Sequence, residues 1–306
     1  MQHVSARPSL APTRVYPSPS AVVALLKPIT WFPPMWALAC GFVSVGRPLS
    51  ERWPFVIGAI ILAGPLLCGT SQAINDWFDR DVDAINEPHR PIPSGRVPGR
   101  WGLGIAIVWT VLSLTVAYCL GLWIFAAATL GMFLAWAYSA PPFRLKSNGW
   151  WGNSAVGLCY EGLPWFTGAA ALAGAFPNTR IVALALLYSA GAFGIMILND
   201  FKALEGDRAM GVRTLPIQLG VTTATRVACT VMAIPQLAVL VLLLRWQLPL
   251  AAALIGLLLT AQLTLMVRLT RDPRRYAAWY NATGTTLSVL GMMVSAVAIR
   301  GSTGGL

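Results

Sequence analysis

An all-α membrane protein, built as a bundle of nine transmembrane helices, is the fold class this sequence predicts. Three observations predict it. Of 306 residues, 56% are hydrophobic and 11% charged, against roughly 25% charged in an average soluble domain. The apolar residues form long blocks, such as 53–74, 101–138 and 231–267, not the short stripes of a surface helix. The basic residues divide unequally between the loops that separate these blocks.

A bilayer core takes roughly 20 apolar residues per helix. Splitting the blocks at turn residues and charges gives spans at 28–46, 53–74, 101–119, 121–138, 151–172, 181–199, 223–244, 249–268 and 281–299. Trp31, Trp53, Trp101, Trp150 and Trp151 mark interfaces, where indole rings collect. Only Gly121 separates the third and fourth spans, so a tight turn is expected there. Residues 1–20 are rich in Pro, Ser and Arg and lack the apolar core of a signal peptide, which sets a tail over 1–25. They read as a flexible cytoplasmic tail, which leaves 26–306 as a single transmembrane domain.

With the N-terminus cytoplasmic, that side receives 17 Lys and Arg. The other side receives five, namely Arg47, Arg52, Arg180, Arg245 and Arg300, which accounts for all 22. An odd number of spans preserves this asymmetry and puts the C-terminus on the opposite side. The same rule explains the net charge of +11 without nucleic acid, since no basic amphipathic helix or nucleic-acid module is present. Cys40, Cys68, Cys119, Cys159 and Cys229 lie in or beside apolar segments and form no CxxC pair, so neither a disulfide framework nor a zinc site is expected.

The acidic residues carry the chemical signal. Eight of 11 occupy two cytoplasmic segments: Asp76, Asp79, Asp81, Asp83 and Glu87 after the second span, and Asp200, Glu205 and Asp207 after the sixth. In the first string, NDWFDRDVD, Asp76, Asp79 and Asp83 share one face if the helix continues, with Asn75 beside them and Asp81 pointing away. Carboxylates on one stripe repel each other unless a cation binds them. Mg²⁺ suits such hard oxygen ligands and typically adds substrate phosphate oxygens. In the second string, NDFKALEGDRAMG, Asp200 and Asp207 share a helical face, and unwinding at Gly206 would bring Glu205 back toward a metal. Both strings begin Asn-Asp, four spans apart, a spacing that fits an internal duplication.

Basic residues suited to a diphosphate flank these strings: Lys27, Arg90, Arg144, Lys146, Lys202 and Arg208. Arg144 and Lys146 follow Pro141-Pro142, whose extended turn holds them in place. Tyr138, Trp77 and Phe78 lie beside the acids, where ring faces would steady an allylic cation. Glu161 is an ionisable group inside a span, a costly position that faces a cavity or a partner. His89 reads as loop surface.

These strings closely resemble the UbiA superfamily of intramembrane prenyltransferases. NDWFDRDVD matches that family's NDxxDxxxD motif at Asn75, Asp76, Asp79 and Asp83. Within it, NDWFDRDVDAINEPHRPIPSG, YSAPPFRLKSNGWWGN, YEGLPWFTG and NDFKALEGDRAMGVRTLPIQLG are most similar to the chlorophyll and bacteriochlorophyll synthases. The second string departs from the superfamily's DxxxD form, because Leu204 stands four after Asp200. The resemblance implies a Mg²⁺-dependent prenyltransferase of a bacterial inner membrane. Its expected substrates are geranylgeranyl or phytyl diphosphate and the 17-propionate of bacteriochlorophyllide a. Asn75, Asp76, Asp79, Asp83, Asp200, Glu205 and Asp207 are then the expected metal ligands, with Tyr138 at the reacting centre and Glu161 and Trp165 in the acceptor pocket. A chlorophyll synthase or a 4-hydroxybenzoate-type prenyltransferase is the alternative within the superfamily. A secondary transporter would place its acids near the bilayer midplane, and a pigment-binding protein would carry histidines within its spans.

Overall fold

The computed structural model describes residues 15–209 and 211–301. Among these there is no β-strand, only a single bridge between Asn148 and Arg213. The helices are α1 (Pro19–Leu26), α2 (Phe32–Val45), α3 (Trp53–Ile61), α4 (Gly69–Asn86), α5 (Trp101–Leu120), α6 (Leu122–Ser139) and α7 (Gly149–Gly157). They continue as α8 (Leu163–Ala173), α9 (Thr179–Asn199), α10 (Leu204–Ala209), α11 (Leu215–Leu219), α12 (Val221–Arg245), α13 (Pro249–Arg271) and α14 (Pro273–Ala298). Two wide π-helical turns join pairs of them end to end: Leu62–Cys68 links α3 to α4, and Leu158–Gly162 links α7 to α8.

Prolines set many of the helix starts, because a first-turn residue has no intrahelical use for its N–H. Pro19, Pro54, Pro249 and Pro273 all stand there. Gly121 alone divides α5 from α6 at φ 124, outside the range of an L side chain. The tight turn expected at that glycine is present.

Each predicted span falls on a helical rod. Among the described residues, seven rods are long and apolar enough to cross a membrane by length and composition. Gly149–Ala173 and Pro273–Ala298 are not among them, and they carry Asn153, Glu161, Asn281 and Thr285. The boundary of the tail moves. Residues 1–14 of the expected tail lie outside the described residues, but α1 occupies 19–26 and packs Ala21, Leu25 and Leu26 against Ala73, Ile74 and Val97. Its apolar face outweighs the Pro and Ser content that made the segment read as tail.

The rods pack through small residues. A side chain on Gly168 would meet the Leu38 carbonyl at 2.2 Å, and one on Gly41 would meet that of Trp165 at 2.2 Å. The α2 and α8 backbones therefore touch, as close-packed membrane helices do where glycines face each other. Around this contact lie Leu38, Leu62, Trp165, Leu172 and Leu184, all buried. At one end of the bundle, two loops are stitched together: Gly149 N donates to Arg213 O (2.9 Å) and Arg213 N to Ser147 O (3.0 Å). That end also gathers the tips of α4 and α9.

Candidate active site

Helix α4 runs unbroken to Asn86, so Asp76, Asp79 and Asp83 do form one stripe. Asp76 and Asp83 are buried, whereas Asp81 projects to the outside with its side chain 85% exposed. Three cations from separate segments meet the stripe. Lys27 Nζ lies 2.6 Å from Asp76 Oδ1, and Lys146 Nζ lies 2.5 Å from Asp79 Oδ1. Arg90 spans two acids, with Nη1 at 2.8 Å from Asp83 Oδ2 and 3.4 Å from Asp76 Oδ1. Asn75 steadies the row by donating to Asp79 Oδ2 (3.0 Å) and Ser139 Oγ (3.3 Å).

The two cations that follow the stripe in sequence respond differently. Burial by itself would lower the Arg90 guanidinium, but the charges of Asp76 and Asp83 outweigh it and hold the group above its ordinary value. At Lys146 burial wins over the Asp79 carboxylate and draws the ammonium below its ordinary range. Lys27 (φ 46) and Arg144 (φ 40) sit in the left-handed region, which costs a non-glycine residue roughly 1–3 kcal/mol and persists only where packing imposes it. At Lys27 that kink ends α1, and the side chain reaches Asp76 on α4.

The second string does not continue as one helix. A 3₁₀ turn, Asp200–Ala203, intervenes before α10, so Asp200 and Asp207 do not lie on a continuous helical face. Asp200 Oδ2 accepts from Asn153 Nδ2 (3.3 Å) and Asn199 Oδ1 accepts from Asn281 Nδ2 (3.0 Å). Asp207 is half-buried, but Glu205 and Arg208 are exposed. Arg144 and Lys202 are also exposed, and neither forms an ion pair among the described residues. Tyr138 links the two strings, lying within electrostatic reach of Asp79, Asp200 and Asp207.

No three His, Cys, Asp or Glu among the described residues are gathered closely enough to share a metal ion. The first-string carboxylates are instead paired with Lys27, Arg90 and Lys146. One observation nevertheless fits a hard cation. Asp76 Oδ2 is buried with no hydrogen-bond partner, an open acceptor on a fully buried carboxylate, and Mg²⁺ favours such oxygens.

Below the acids lies a cavity of about 850 Å³. Asn75, Asn199, Tyr138 and Lys202 line its polar end, and Leu67, Met132, Val156, Leu163 and Val289 are among its apolar walls. Gln72, four residues before Asp76, also lines it and donates to Tyr160 Oη at 3.1 Å. Glu161 stands in the wall, 8% exposed. Such a shape takes a ligand with an anionic head and a long hydrocarbon body.

Three aromatic expectations are corrected. Trp165 is not among the cavity-lining residues: it is fully buried, its indole donates to Ser44 Oγ (3.0 Å), and it stacks on Tyr188. Trp77 lies under the Arg80 guanidinium and Phe78 meets Trp136 edge-on, so of the three aromatic residues beside the acids only Tyr138 lines the cavity. His89 is exposed and faces Glu87 at 3.3 Å. Asn153, Ser139, Gln72 and Tyr160 were not singled out from the sequence. The available signal was polar residues inside apolar spans, and Gln72 lies one turn before Asp76 on the same helix face.

Residues 25–295 match the model of the UbiA prenyltransferase family. The chain is 60% identical to the bacteriochlorophyll synthase 33 kDa chain of Cereibacter sphaeroides, covering 96% of this chain and 97% of that one. It is 40% identical to the chloroplastic chlorophyll synthase of Arabidopsis thaliana, covering 90% of this chain and 73% of that one. Among solved structures, a UbiA homologue from Archaeoglobus fulgidus bound to DMAPP and Mg²⁺ superposes with a TM-score of 0.71 at 19% identity, covering 92% of this chain and 99% of that one.

Proposed function

The chain belongs to the UbiA prenyltransferase family and is a prenyltransferase, and on that premise we propose that it joins geranylgeranyl or phytyl diphosphate to the 17-propionate of bacteriochlorophyllide a. The observation that carries this reading is an apolar-walled cavity whose polar end is lined by Asn75 and Asn199, each next in sequence to an acid of the two strings, in a chain similar over nearly its whole length to bacteriochlorophyll synthases.

Asp76, Asp79, Asp83 and Asp200 are the residues that would hold Mg²⁺. Bound there, the ion would neutralise charge on the departing diphosphate. Lys27, Arg90 and Lys146 trade their carboxylate partners for phosphate oxygens, each a charge-assisted bond. The allylic C1–O bond breaks, its electron pair leaving with the diphosphate. Tyr138 offers a ring face to the positive charge that develops, and the apolar walls keep water from it. A propionate oxygen then forms the new bond to C1. That propionate has a reference pKa of about 4 and is ionised at neutral pH, so the site needs no strong base.

Purified protein given Mg²⁺, each prenyl diphosphate and bacteriochlorophyllide a should form esterified pigment, which partitions into an apolar phase. With saturating Mg²⁺, turnover should hold steady from pH 8 to pH 6, because the nucleophile stays ionised throughout. Prenylation of 4-hydroxybenzoate with the pigment left untouched would overturn the acceptor and leave the family standing.

The protein is an integral membrane protein. We place it in a bacterial inner membrane with nine crossings, the N-terminus cytoplasmic and the C-terminus opposite. The helices that underlie the predicted spans and the unequal sharing of Lys and Arg support that arrangement. Reporter fusions after residues 95, 146, 210 and 272 should all report cytoplasm, and one at the C-terminus the other side. A cytoplasmic C-terminus would sink the nine-span topology.

A further inference from the structure

Glu161 has no role in the chemistry at the acid cluster. It sits on the π-helical turn Leu158–Gly162, in the cavity wall, 8% exposed, and its Oε2 has no hydrogen-bond partner. A carboxyl group left open in an apolar wall is costly, and it persists where something polar comes to meet it. The prenyl chain cannot be that partner, because an isoprenoid tail is hydrocarbon and carries no donor, acceptor or metal. The other substrate must reach this part of the cavity.

Resting on the acceptor reading above, we propose that Glu161 supplies the axial oxygen ligand to the central magnesium of the bacteriochlorophyllide macrocycle. Four ring nitrogens leave such a magnesium open above or below the plane, and the ion prefers hard oxygen donors. No histidine among the described residues lines the cavity. Gln72 and Tyr160 are bonded to each other, and Thr285, whose Oγ1 is also unpartnered, offers only a neutral hydroxyl. The position fits as well. Asn153, which holds Asp200, precedes Glu161 by eight residues on the same rod, about 12 Å at the helical rise. Half a tetrapyrrole and its extended propionate arm span a comparable distance, so a macrocycle anchored at Glu161 presents its carboxylate toward the acid cluster.

The test is equilibrium binding to purified protein without prenyl diphosphate, followed by pigment absorption. The probes are bacteriochlorophyllide a and its magnesium-free counterpart, bacteriopheophorbide a. Wild-type protein should favour the magnesium form by at least about tenfold, the scale of a disturbed metal site. Glu161→Leu should lose that preference while still binding the metal-free pigment. Glu161→Gln, which keeps the shape and one oxygen, should retain part of the preference and guards against a misfolded Leu variant. The magnesium pigment's coordination-sensitive absorption band should shift in wild-type protein and not in Glu161→Leu. Equal affinities for the two pigments in wild-type protein would overturn the proposal, as would parallel loss of both in Glu161→Gln. Esterification assayed on the same preparations separates the two readings. Turnover without a metal preference removes only the ligand assignment, and absence of both turnover and pigment binding removes the acceptor as well.

Discussion

Asp76→Asn should lower turnover by about 10²–10³-fold or more, the scale on which a preorganised electrostatic group acts, while the protein still inserts and folds. The substitution is isosteric, so the α4 face keeps its shape. It removes the charge that Lys27 and Arg90 share and the open Oδ2 that fits Mg²⁺. Both cations keep a route to solvent, with side chains 21% and 28% exposed, so neither is stranded. The measurement is rate against Mg²⁺ concentration: the variant should need far more metal to reach even its reduced maximum. EDTA should mimic the substitution in wild-type protein, and added Mg²⁺ should reverse it. Wild-type activity in the variant, or in a chelated sample, would remove the metal from the mechanism.

Lys146→Met should act on the donor. It keeps the unbranched stem and deletes the ammonium paired with Asp79. A hydrogen bond to a charged group is worth roughly 1.5–3 kcal/mol, so the KM for prenyl diphosphate should rise about ten- to hundredfold. The KM for pigment should barely move. Arg208→Ala serves as the contrast, because Arg208 is exposed and unpaired among the described residues, and its loss should leave the donor KM near wild type. Equal effects from the two substitutions would mean that sequence proximity to the acids, not the ion pair with Asp79, governs diphosphate binding.

The local periodicities were legible in the sequence. The i, i+3, i+7 spacing put Asp76, Asp79 and Asp83 on one stripe and turned Asp81 outward, and α4 keeps that arrangement because nothing interrupts it. The second string was read with the same rule and departs from it, because a 3₁₀ turn follows Asn199 and changes the angle between successive residues. Glu205 consequently points outward. Lys27, Arg90 and Lys146 were identified as candidates, but their partners were not, since pairings across 49, 14 and 67 residues depend on how the rods assemble. Trp165 misled for a related reason. Its neighbour Glu161 does line the cavity, yet the indole four residues on faces Ser44 and Tyr188 in the core. One string of residues thus serves two different surroundings, which no reading of the string alone separates.

The two π-helical turns give this protein a particular vulnerability to length changes. Both supply cavity wall, Ala63, Leu67 and Cys68 from one and Cys159, Tyr160 and Glu161 from the other. A π turn accommodates one residue more than the α-helix around it. Deleting a single residue from 158–162 would let the rod close into regular α-helix without unfolding it, at little cost to hydrophobicity. The side chains on either side of the turn would keep their directions, and what would be lost is the local bulge that places Cys159, Tyr160 and Glu161 in the wall. The chain would still read as a membrane bundle and still carry both acid strings, but its cavity wall would be rebuilt at 158–162. For this fold, gaps and insertions within 62–68 and 158–162 therefore carry more functional information than substitutions on the lipid-facing sides of the same rods.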